Sequence, residues 1–274
     1  MNIVMTIAGS DSSGGAGIQA DLKTFQELSV FGTSVITALT AQNTLGVDGV
    51  FPSTADFVKQ QIEVVFHDLP VKAVKTGMLF SAQIIEEVVN SLREKDVLLV
   101  VDPVMIAKGG ASLLQDKAVE ALTTKLLPLA TVLTPNIPEA EVISGIKIKS
   151  EMDLQKAAEK ILAMGVKCVV MKGGHLDEQG TATDTVFFAD GSTFKMASAR
   201  IETKHTHGTG CTYSAALTAF VGQGWSLKEA IIEAKKFVQL AIETPLNIGH
   251  GHGPTNHFAY KLAKGVCEVN IIES

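Results

Sequence analysis

The segment from Lys204 to Leu217 contains two glycines, a cysteine and a run of small residues typical of a helix start. Gly208 and Gly210 allow the backbone to turn and to approach a ligand closely. A helix that begins there presents unpaired N–H groups and the positive end of its dipole, which together bind anions. Cys211 lies in the same turn, where a helix N-terminus favours the thiolate over the thiol. The segment is therefore either an anion site with a reactive sulfur or a plain helix start with a small buried residue.

Three polar side chains stand at the ends of apolar runs elsewhere in the chain: Asp102, Asn136 and Lys172. Because ligands bind at the carboxyl ends of parallel strands, we expect these side chains to share one rim of a sheet. Each also has a simpler interpretation. Asp102 could be a cap, Asn136 with Glu139 a helix-capping pair, and Lys172 a solvated strand end. Together with the glycine turn, however, they supply the anion site, cation and oxygen ligands that phosphoryl transfer requires.

Alternating strand and helix patterns predict the elements that position these residues. The predicted strands are 3–8, 35–41, 71–76, 97–101, 132–134 and 166–171, and the predicted helices start near Ile18, cover 55–66 and 82–92, and start again at Ser226. Short strands between helices indicate βαβ crossovers and a parallel sheet. Between Thr183 and Phe194, an Asp-Gly turn predicts an antiparallel hairpin at one sheet edge. On the last helix, Lys235 is expected to project from the side opposite the apolar face.

Composition limits the class of protein. The chain has 274 residues, is 46% hydrophobic and contains no linker-like stretch, which predicts a single domain over residues 1–274. The formal charge is -6 and the basic residues are scattered, which argues against nucleic acid as a partner. We find neither a signal-like start nor a membrane-length apolar run, so we expect a cytoplasmic protein without a membrane partner. The cysteines Cys168, Cys211 and Cys267 lack the spacing of a disulfide framework or a zinc site.

Common catalytic motifs are absent from the sequence. There is no Walker phosphate loop, no dinucleotide fingerprint after the first strand and no serine-hydrolase elbow. The glycines of segment 9–17 fit either a surface turn or a loop that covers a ligand. His205 or His207 could activate Cys211 as a nucleophile, although Cys–His pairs are usually distant in sequence. The Gly-His-Gly-His-Gly run at 249–253 has no acidic or cysteine partner at ligand spacing, which favours hydrogen bonding over zinc binding.

Several motifs occur in order along the chain: Thr6-Ile-Ala-Gly-Ser-Asp-Ser-Ser-Gly-Gly-Ala-Gly, Val35-Ile-Thr-Ala-Leu-Thr-Ala-Gln-Asn-Thr, Lys75-Thr-Gly-Met-Leu, Asp102-Pro-Val-Met, Thr134-Pro-Asn-Ile-Pro-Glu-Ala-Glu, Met171-Lys-Gly-Gly-His and Thr206-His-Gly-Thr-Gly-Cys-Thr. In this order they resemble the ribokinase-like superfamily and, within it, the hydroxymethylpyrimidine/phosphomethylpyrimidine kinases of thiamine biosynthesis. The resemblance covers nearly the whole chain. It implies an α/β fold, a three-layer αβα sandwich with a mostly parallel central sheet and a small antiparallel edge.

The same resemblance implies an activity. Kinases of this kind use ATP and Mg²⁺ to phosphorylate the hydroxymethyl group of 4-amino-5-hydroxymethyl-2-methylpyrimidine, and often then phosphorylate the monophosphate. Their relatives are commonly homodimers. The anion hole would be formed by Gly208, Thr209, Gly210 and Cys211. Many sugar kinases of the superfamily carry an Asp base where this chain has Cys211, so the thiol is expected to stabilise or deprotonate the attacking hydroxyl while the anion hole and Mg²⁺ contribute more to catalysis.

The resemblance also assigns the remaining site residues. The pyrimidine pocket would be lined by Gly9, Asp21, Gln42, Met78 and Val104. The nucleotide would lie beside Lys172 and Lys235, and Mg²⁺ would be organised, mostly through water, by Asp102, Asn136 and Glu139. Gln42 is the most informative of these residues, because its amide offers the donor and the acceptor that match an aminopyrimidine edge.

Two alternatives stay open from the sequence. A pyridoxal/pyridoxine kinase shares the His-Gly-x-Gly-Cys turn, and pyridoxal also carries a ring-bound hydroxymethyl group. A catalytically inactive vitamin-binding protein is the other alternative. The intact Gly-Thr-Gly-Cys turn, together with Lys172 and Gln42, argues against the inactive protein.

Overall fold

A computed structural model describes residues 1–105, 116–173, 180–264 and 266–273. Its strands are β1 (Ile3–Asp11), β2 (Phe31–Gln42), β3 (Val47–Pro52), β4 (Val71–Thr76), β5 (Leu98–Val101), β6 (Val132–Leu133), β7 (Cys168–Lys172), β8 (Thr181–Phe188), β9 (Thr193–Ala199) and β10 (Asn270–Glu273). Its α-helices are α1 (Gly17–Glu27), α2 (Ala55–Asp68), α3 (Ala82–Leu92), α4 (Asp116–Ala121), α5 (Ile137–Ser144), α6 (Glu151–Leu162), α7 (Thr209–Gly222), α8 (Leu227–Glu243) and α9 (Ala259–Leu262). A π-helical turn (Leu122–Leu126) and a 3₁₀ turn (Leu127–Leu129) follow α4.

Within the described residues, the strands form one sheet in the order β10-β9-β8-β7-β6-β5-β4-β1-β2-β3. The six strands from β7 through β2 in this order pair in parallel. Both edges are antiparallel, because β8, β9 and β10 extend one side and β3 extends the other. The predicted parallel centre and the predicted hairpin are therefore confirmed. The sequence patterns did not indicate β3 or β10.

Helices cover both faces of the sheet. One core packs α2, α3, α4, α5 and α6 against the sheet, and the other packs α1, α7 and α8 against its opposite face. Alternate residues of a central strand enter different cores, as Leu99 and Val101 enter the first and Val100 enters the second. The consecutive apolar residues of β5 are thus explained by a three-layer sandwich, in which helices cover the strand on both faces. No helix of the described residues combines the length and the apolar character needed to cross a bilayer.

Candidate active site

A cavity of about 730 Å³ opens at the carboxyl ends of the parallel strands. This is the expected ligand position for an open parallel sheet, and the volume suits small-molecule ligands. The cavity is lined by nearly all of the predicted site residues: Gly9, Gln42, Met78, Asp102, Val104, Asn136, Glu139, Lys172, Gly208, Thr209, Gly210, Cys211 and Lys235. Residues from six different strand ends and three helices therefore converge, although they are far apart in the chain.

The glycine turn begins α7 as the sequence predicted. Gly208 is the N-cap of this helix and has a left-handed backbone with φ = 78°. A side chain at this position would also collide with the carbonyl oxygen of Gly15. Glycine is required for both reasons. No acidic residue lies in the first turn of α7, so the dipole and free N–H groups at this end are available to an anion.

Cys211 lies where two helices begin. It lines the cavity in the first turn of α7, and the backbone N–H of Gly17, the first residue of α1, donates a hydrogen bond to its sulfur. Burial nevertheless raises the pKa of the Cys211 thiol to about 11, although the nearby Lys75 ammonium lowers it. The expectation that the helix N-terminus would yield a thiolate is therefore wrong, because desolvation outweighs the favourable dipole and cation.

Lys172 and Asp102 lie directly below the glycine turn. The Nζ of Lys172 is 3.6 Å from Oδ1 of Asp102, and Ser214 Oγ donates to Oδ2 of Asp102 at 3.3 Å. A Cβ at Gly210 would lie 3.4 Å from the Lys172 Nζ, so the turn lies on the pair. Burial lowers the pKa of Lys172, but the Asp102 and Glu139 carboxylates outweigh this effect and raise it. Lys172 is thus a charged ammonium in the cavity rather than a solvated strand end.

Asn136 and Glu139 form the helix cap that their spacing indicated. Asn136 Oδ1 accepts the Glu139 backbone N–H at 2.8 Å, and Glu139 Oε2 accepts the Asn136 N–H at 2.9 Å. Both residues also line the cavity. Burial raises the pKa of Glu139, Lys172 opposes this shift, and the Asp102 carboxylate adds to it. The cap therefore holds a second carboxylate close enough to Asp102 for the two charges to repel.

Asp21 does not line the cavity, contrary to the expectation for a pyrimidine-binding residue. Its carboxylate is completely buried below the site, where Lys75 Nζ donates to both oxygens at 2.7 and 2.8 Å and Thr6 Oγ1 donates at 2.6 Å. Burial lowers the pKa of Lys75, but Asp21, together with other nearby groups that include Asp102, outweighs burial and raises it. The physical reason for the error is this lysine, which occupies a fully buried strand position and needs a carboxylate counterion.

Lys235 also differs from its prediction. It is buried rather than projecting from the exposed side of α8, and its Nζ contacts Asp184 Oδ2 at 2.8 Å and the Ala182 carbonyl oxygen at 3.3 Å. The other Asp184 oxygen accepts the Gly173 N–H at 3.1 Å. Lys235 therefore lines the cavity while it ties α8 to the β8 strand.

The phosphomethylpyrimidine kinase family profile matches residues 11–256. The chain belongs to the phosphomethylpyrimidine kinase family. A curated relative from Bacillus subtilis, a hydroxymethylpyrimidine/phosphomethylpyrimidine kinase, is 56% identical over 259 residues, which are 94% of this chain and 95% of the relative. All of the cavity residues named above except Gly9 lie within the family match.

Several solved structures are similar to this chain along most of its length. The Staphylococcus aureus pyridoxal kinase in complex with AMP-PCP and pyridoxal has a TM-score of 0.91 and 37% identity, covering 100% of this chain and 99% of that one. The phosphomethylpyrimidine kinase from Clostridium difficile has a TM-score of 0.77 and 46% identity, covering 88% of this chain and 100% of that one. The predicted ribokinase-like fold and the predicted family are both confirmed.

The contact between two cavity residues, Asp11 and His207, was not anticipated from the sequence. Asp11 ends β1, and its Oδ2 lies 2.8 Å from Nε2 of His207, the residue before the glycine turn. The sequence suggested His207 only as a partner of Cys211 or as a loop residue. A signal was present in the spacing Asp-Ser-Ser-Gly-Gly, since Asp at the start of a glycine loop commonly accepts backbone N–H groups within the loop.

Proposed function

We propose that this kinase transfers the γ-phosphoryl group of ATP to the hydroxymethyl oxygen of 4-amino-5-hydroxymethyl-2-methylpyrimidine, and then phosphorylates the resulting monophosphate. The observation that carries the proposal is the convergence of the Gly208–Cys211 turn, the Lys172–Asp102 pair and Gln42 on one cavity. The first two groups suit a phosphoryl group, and the amide of Gln42 suits a ring with an exocyclic amine.

The phosphate side of the cavity is cationic at two points. The N-terminus of α7 and the Lys172 ammonium would both contact the transferring group, and neither requires reorganisation because each is fixed by the fold. Lys235 would lie beside the nucleotide, where its pairing with Asp184 keeps the wall of the cavity in place. The Staphylococcus aureus pyridoxal kinase solved with AMP-PCP supports ATP as the phosphoryl donor.

The residues present also fit Mg²⁺. Asp102 and Glu139 place two carboxylates at one side of the cavity. Burial raises the pKa of Glu139 and the Asp102 carboxylate adds to this shift, and a divalent cation would relieve the repulsion between the two groups. Asn136 Oδ1 is already used by the helix cap, so Asn136 would act through water. Among the described residues no three His, Cys, Asp or Glu side chains form a complete metal cluster, so phosphate and water oxygens would supply the other ligands. Bound Mg²⁺ would neutralise charge that develops on the phosphates.

The pyrimidine would bind on the other side of the glycine turn. Gln42, Met78, Gly9 and Val104 line this part of the cavity. A side chain at Gly9 would collide with the Met78 methyl group, so this glycine leaves the thioether free to pack on a ring. Asp21 would contribute from below by keeping Lys75 charged, without contacting the substrate.

Cys211 would hold the reacting hydroxyl rather than deprotonate it. A thiol with a pKa of about 11 stays protonated at neutral pH and is a poor general base there. In a loose phosphoryl-transfer transition state, positioning and charge stabilisation contribute most of the acceleration. The two helix N-termini that meet at Cys211 serve that purpose.

A substrate comparison tests the proposed function. ADP release would be measured with the pyrimidine alcohol, with its monophosphate and with pyridoxal, each in single-turnover and steady-state assays. We expect the highest kcat/KM for the alcohol and measurable turnover of the monophosphate. A higher kcat/KM for pyridoxal would overturn the substrate assignment, and ADP release with none of the three would indicate a binding protein.

We further propose that the chain forms a homodimer through the β3 edge of the sheet. Two large apolar side chains near this edge are strongly exposed, namely Leu45 (71%) and Phe51 (72%). Strand β3 also leaves one row of backbone groups without a strand partner among the described residues. Light scattering coupled to gel filtration should give twice the chain mass, and Phe51→Glu should give the monomer. A monomeric wild-type protein would contradict this proposal.

A further inference from the structure

The Asp11 carboxylate is the centre of the N-terminal glycine loop. Its Oδ1 accepts the Ser13 backbone N–H at 2.8 Å and the Ser13 hydroxyl at 2.7 Å. Its Oδ2 accepts the N–H groups of Gly15 at 3.1 Å and Ala16 at 2.8 Å. The same oxygen lies 2.8 Å from His207 Nε2. Although burial raises the pKa of Asp11, the hydrogen bonds from His207 and Ser13 outweigh it and lower the pKa, so the group is a carboxylate.

His207 connects this loop to the glycine turn. An ionised carboxylate only accepts hydrogen bonds, so Nε2 of His207 must carry a proton and donate it to Asp11. The backbone of His207 is fixed on its other side, because its N–H donates to the Gly253 carbonyl at 3.0 Å and its carbonyl accepts the Thr255 N–H at 3.2 Å. The next residue is Gly208, the N-cap of α7. His207 thus links three parts of the chain. Its imidazole contacts the N-terminal glycine loop, and its backbone holds the C-terminal segment beside the glycine turn.

The same proton determines the orientation of Gln42. The amide Nε2 of Gln42 lies 3.3 Å from His207 Nε2, where two N–H donors would face each other. The Thr40 hydroxyl lies 3.2 Å from Gln42 Oε1 and can donate its hydrogen to the Ser10 carbonyl at 2.9 Å instead. A half-turn of the Gln42 amide removes the clash between donors, since Oε1 then shares the Nε2 proton of His207 with Asp11 as a second, longer acceptor and Nε2 donates to Thr40.

We propose that Asp11 and His207 are positioning residues for phosphoryl transfer, which hold the glycine loop against Gly208 and orient the Gln42 amide toward the pyrimidine. The inference rests on the proposed kinase function. It follows from the shared proton, because losing the imidazole N–H of His207 detaches the glycine loop from the residue next to Gly208 and also releases the Gln42 amide. Small displacements of a reacting group reduce turnover strongly, by about 100-fold for roughly 1 Å.

Three variants test the pair: His207→Phe removes the donor, His207→Gln retains an N–H near the Nε2 position, and Gln61→Ala serves as the matched control. Gln61 makes two hydrogen bonds to the backbone of Ile36, at 2.9 and 3.2 Å, outside the cavity lining. We expect His207→Phe to lower kcat by about 10- to 100-fold and to raise the KM for the pyrimidine more than the KM for ATP. His207→Gln should recover most of kcat, and Gln61→Ala should lower only the melting temperature.

The outcomes separate this inference from the proposed function. Wild-type kcat in His207→Phe, or an equal loss in His207→Phe and His207→Gln, would overturn the positioning role. If His207→Phe does not fold, Asp11→Asn replaces it and must show the same selective rise in the pyrimidine KM. A wild-type protein that binds the pyrimidine without releasing ADP would overturn the proposed function alone. In that case two measurements test the positioning role: calorimetric binding of the pyrimidine and the ¹⁵N chemical shifts of the His207 imidazole. Shifts that indicate an Nδ1–H tautomer would refute the positioning role.

Discussion

The buried Asp21–Lys75 pair distinguishes a structural role for Asp21 from direct substrate binding. Lys75→Met keeps the length and apolar volume of the side chain but removes the ammonium that contacts the Asp21 carboxylate. Asp21 then keeps the hydrogen bond from the Thr6 hydroxyl at 2.6 Å. Both members of the pair are 0% exposed. Removing one partner of such a pair costs about 3–5 kcal/mol of unfolding free energy, which corresponds to roughly 6–20 °C in Tm.

An exposed ion pair of the same length provides the control. Lys125 Nζ is 2.7 Å from Glu86 Oε1, the same separation as in the buried pair, but the two side chains are 49% and 44% exposed. Lys125→Met should therefore cost at most about 1 kcal/mol. Urea unfolding followed by circular dichroism would compare the two variants under identical conditions. Because the two N–O distances are equal, burial is expected to account for the difference in unfolding free energy between the two variants.

The pH dependence of Lys75→Met has a defined sign. Burial raises the pKa of Asp21 even with Lys75 present. Without the lysine the folded-state pKa would rise further above the unfolded value, so the folded protein would bind a proton that the unfolded chain releases. Stability from such a group is present below the unfolded pKa and is lost as pH rises through the folded pKa. The deficit of Lys75→Met relative to wild type should therefore be larger at pH 8 than at pH 5.

A double-mutant cycle completes the test. Asp21→Asn combined with Lys75→Met should cost about 1–3 kcal/mol less than the sum of the single changes, because neither variant residue is then left as an uncompensated charge. The reasoning is refuted if both single variants unfold at the wild-type urea concentration and Asp21→Asn changes only the KM for the pyrimidine. That result would restore Asp21 to the substrate pocket.

The remaining predictions concern the cavity. Cys211→Ala should lose most phosphoryl transfer but still bind the pyrimidine in calorimetry, and unchanged kcat would remove the thiol from the mechanism. Alkylation of Cys211 by iodoacetamide should accelerate with pH up to about 11, so a plateau near pH 8 would contradict the raised pKa. Lys172→Met should lower kcat and raise the KM for ATP, whereas Lys195→Met, which breaks an exposed pair with Glu151 at 2.6 Å, should alter neither. Equal kinetic effects of the two lysine changes would argue against a site role for Lys172.

The sequence patterns correctly predicted features that are determined by residues close together in the chain. Leu99, Val100 and Val101 are all apolar because both sheet faces are covered, and the Asn136–Glu139 spacing is itself the geometry of a helix cap. Strand ends then placed Asp102 and Lys172 on one rim, since parallel strands share a direction. These local rules were sufficient for the centre of the sheet and for the rim with Asp102, Asn136 and Lys172. The assignment of Gly9, Gln42, Met78 and Val104 to the pocket came from the family resemblance instead.

Errors occurred where a partner lies far away in the chain. Lys235 was assigned to the exposed side of its helix because helical periodicity does not include Asp184, its partner 51 residues earlier. His207 and Asp11 are 196 residues apart. Cys211 was expected to ionise because the helix dipole can be inferred locally, whereas the desolvation that opposes it depends on the completed fold. Charged and polar pairs of this kind follow from tertiary packing rather than from periodicity.

The placement of β1 has a consequence for synthesis on the ribosome. This strand emerges first and lies between β2 and β4, which follow it closely in the chain, so the middle of the sheet can assemble early. The glycine turn at Gly208 is completed much later, because His207 contacts both Asp11 and the backbone at Gly253. A truncated chain that ends before this point would contain much of the scaffold but an incomplete catalytic pocket. Catalytic competence is therefore among the last properties that a nascent chain acquires.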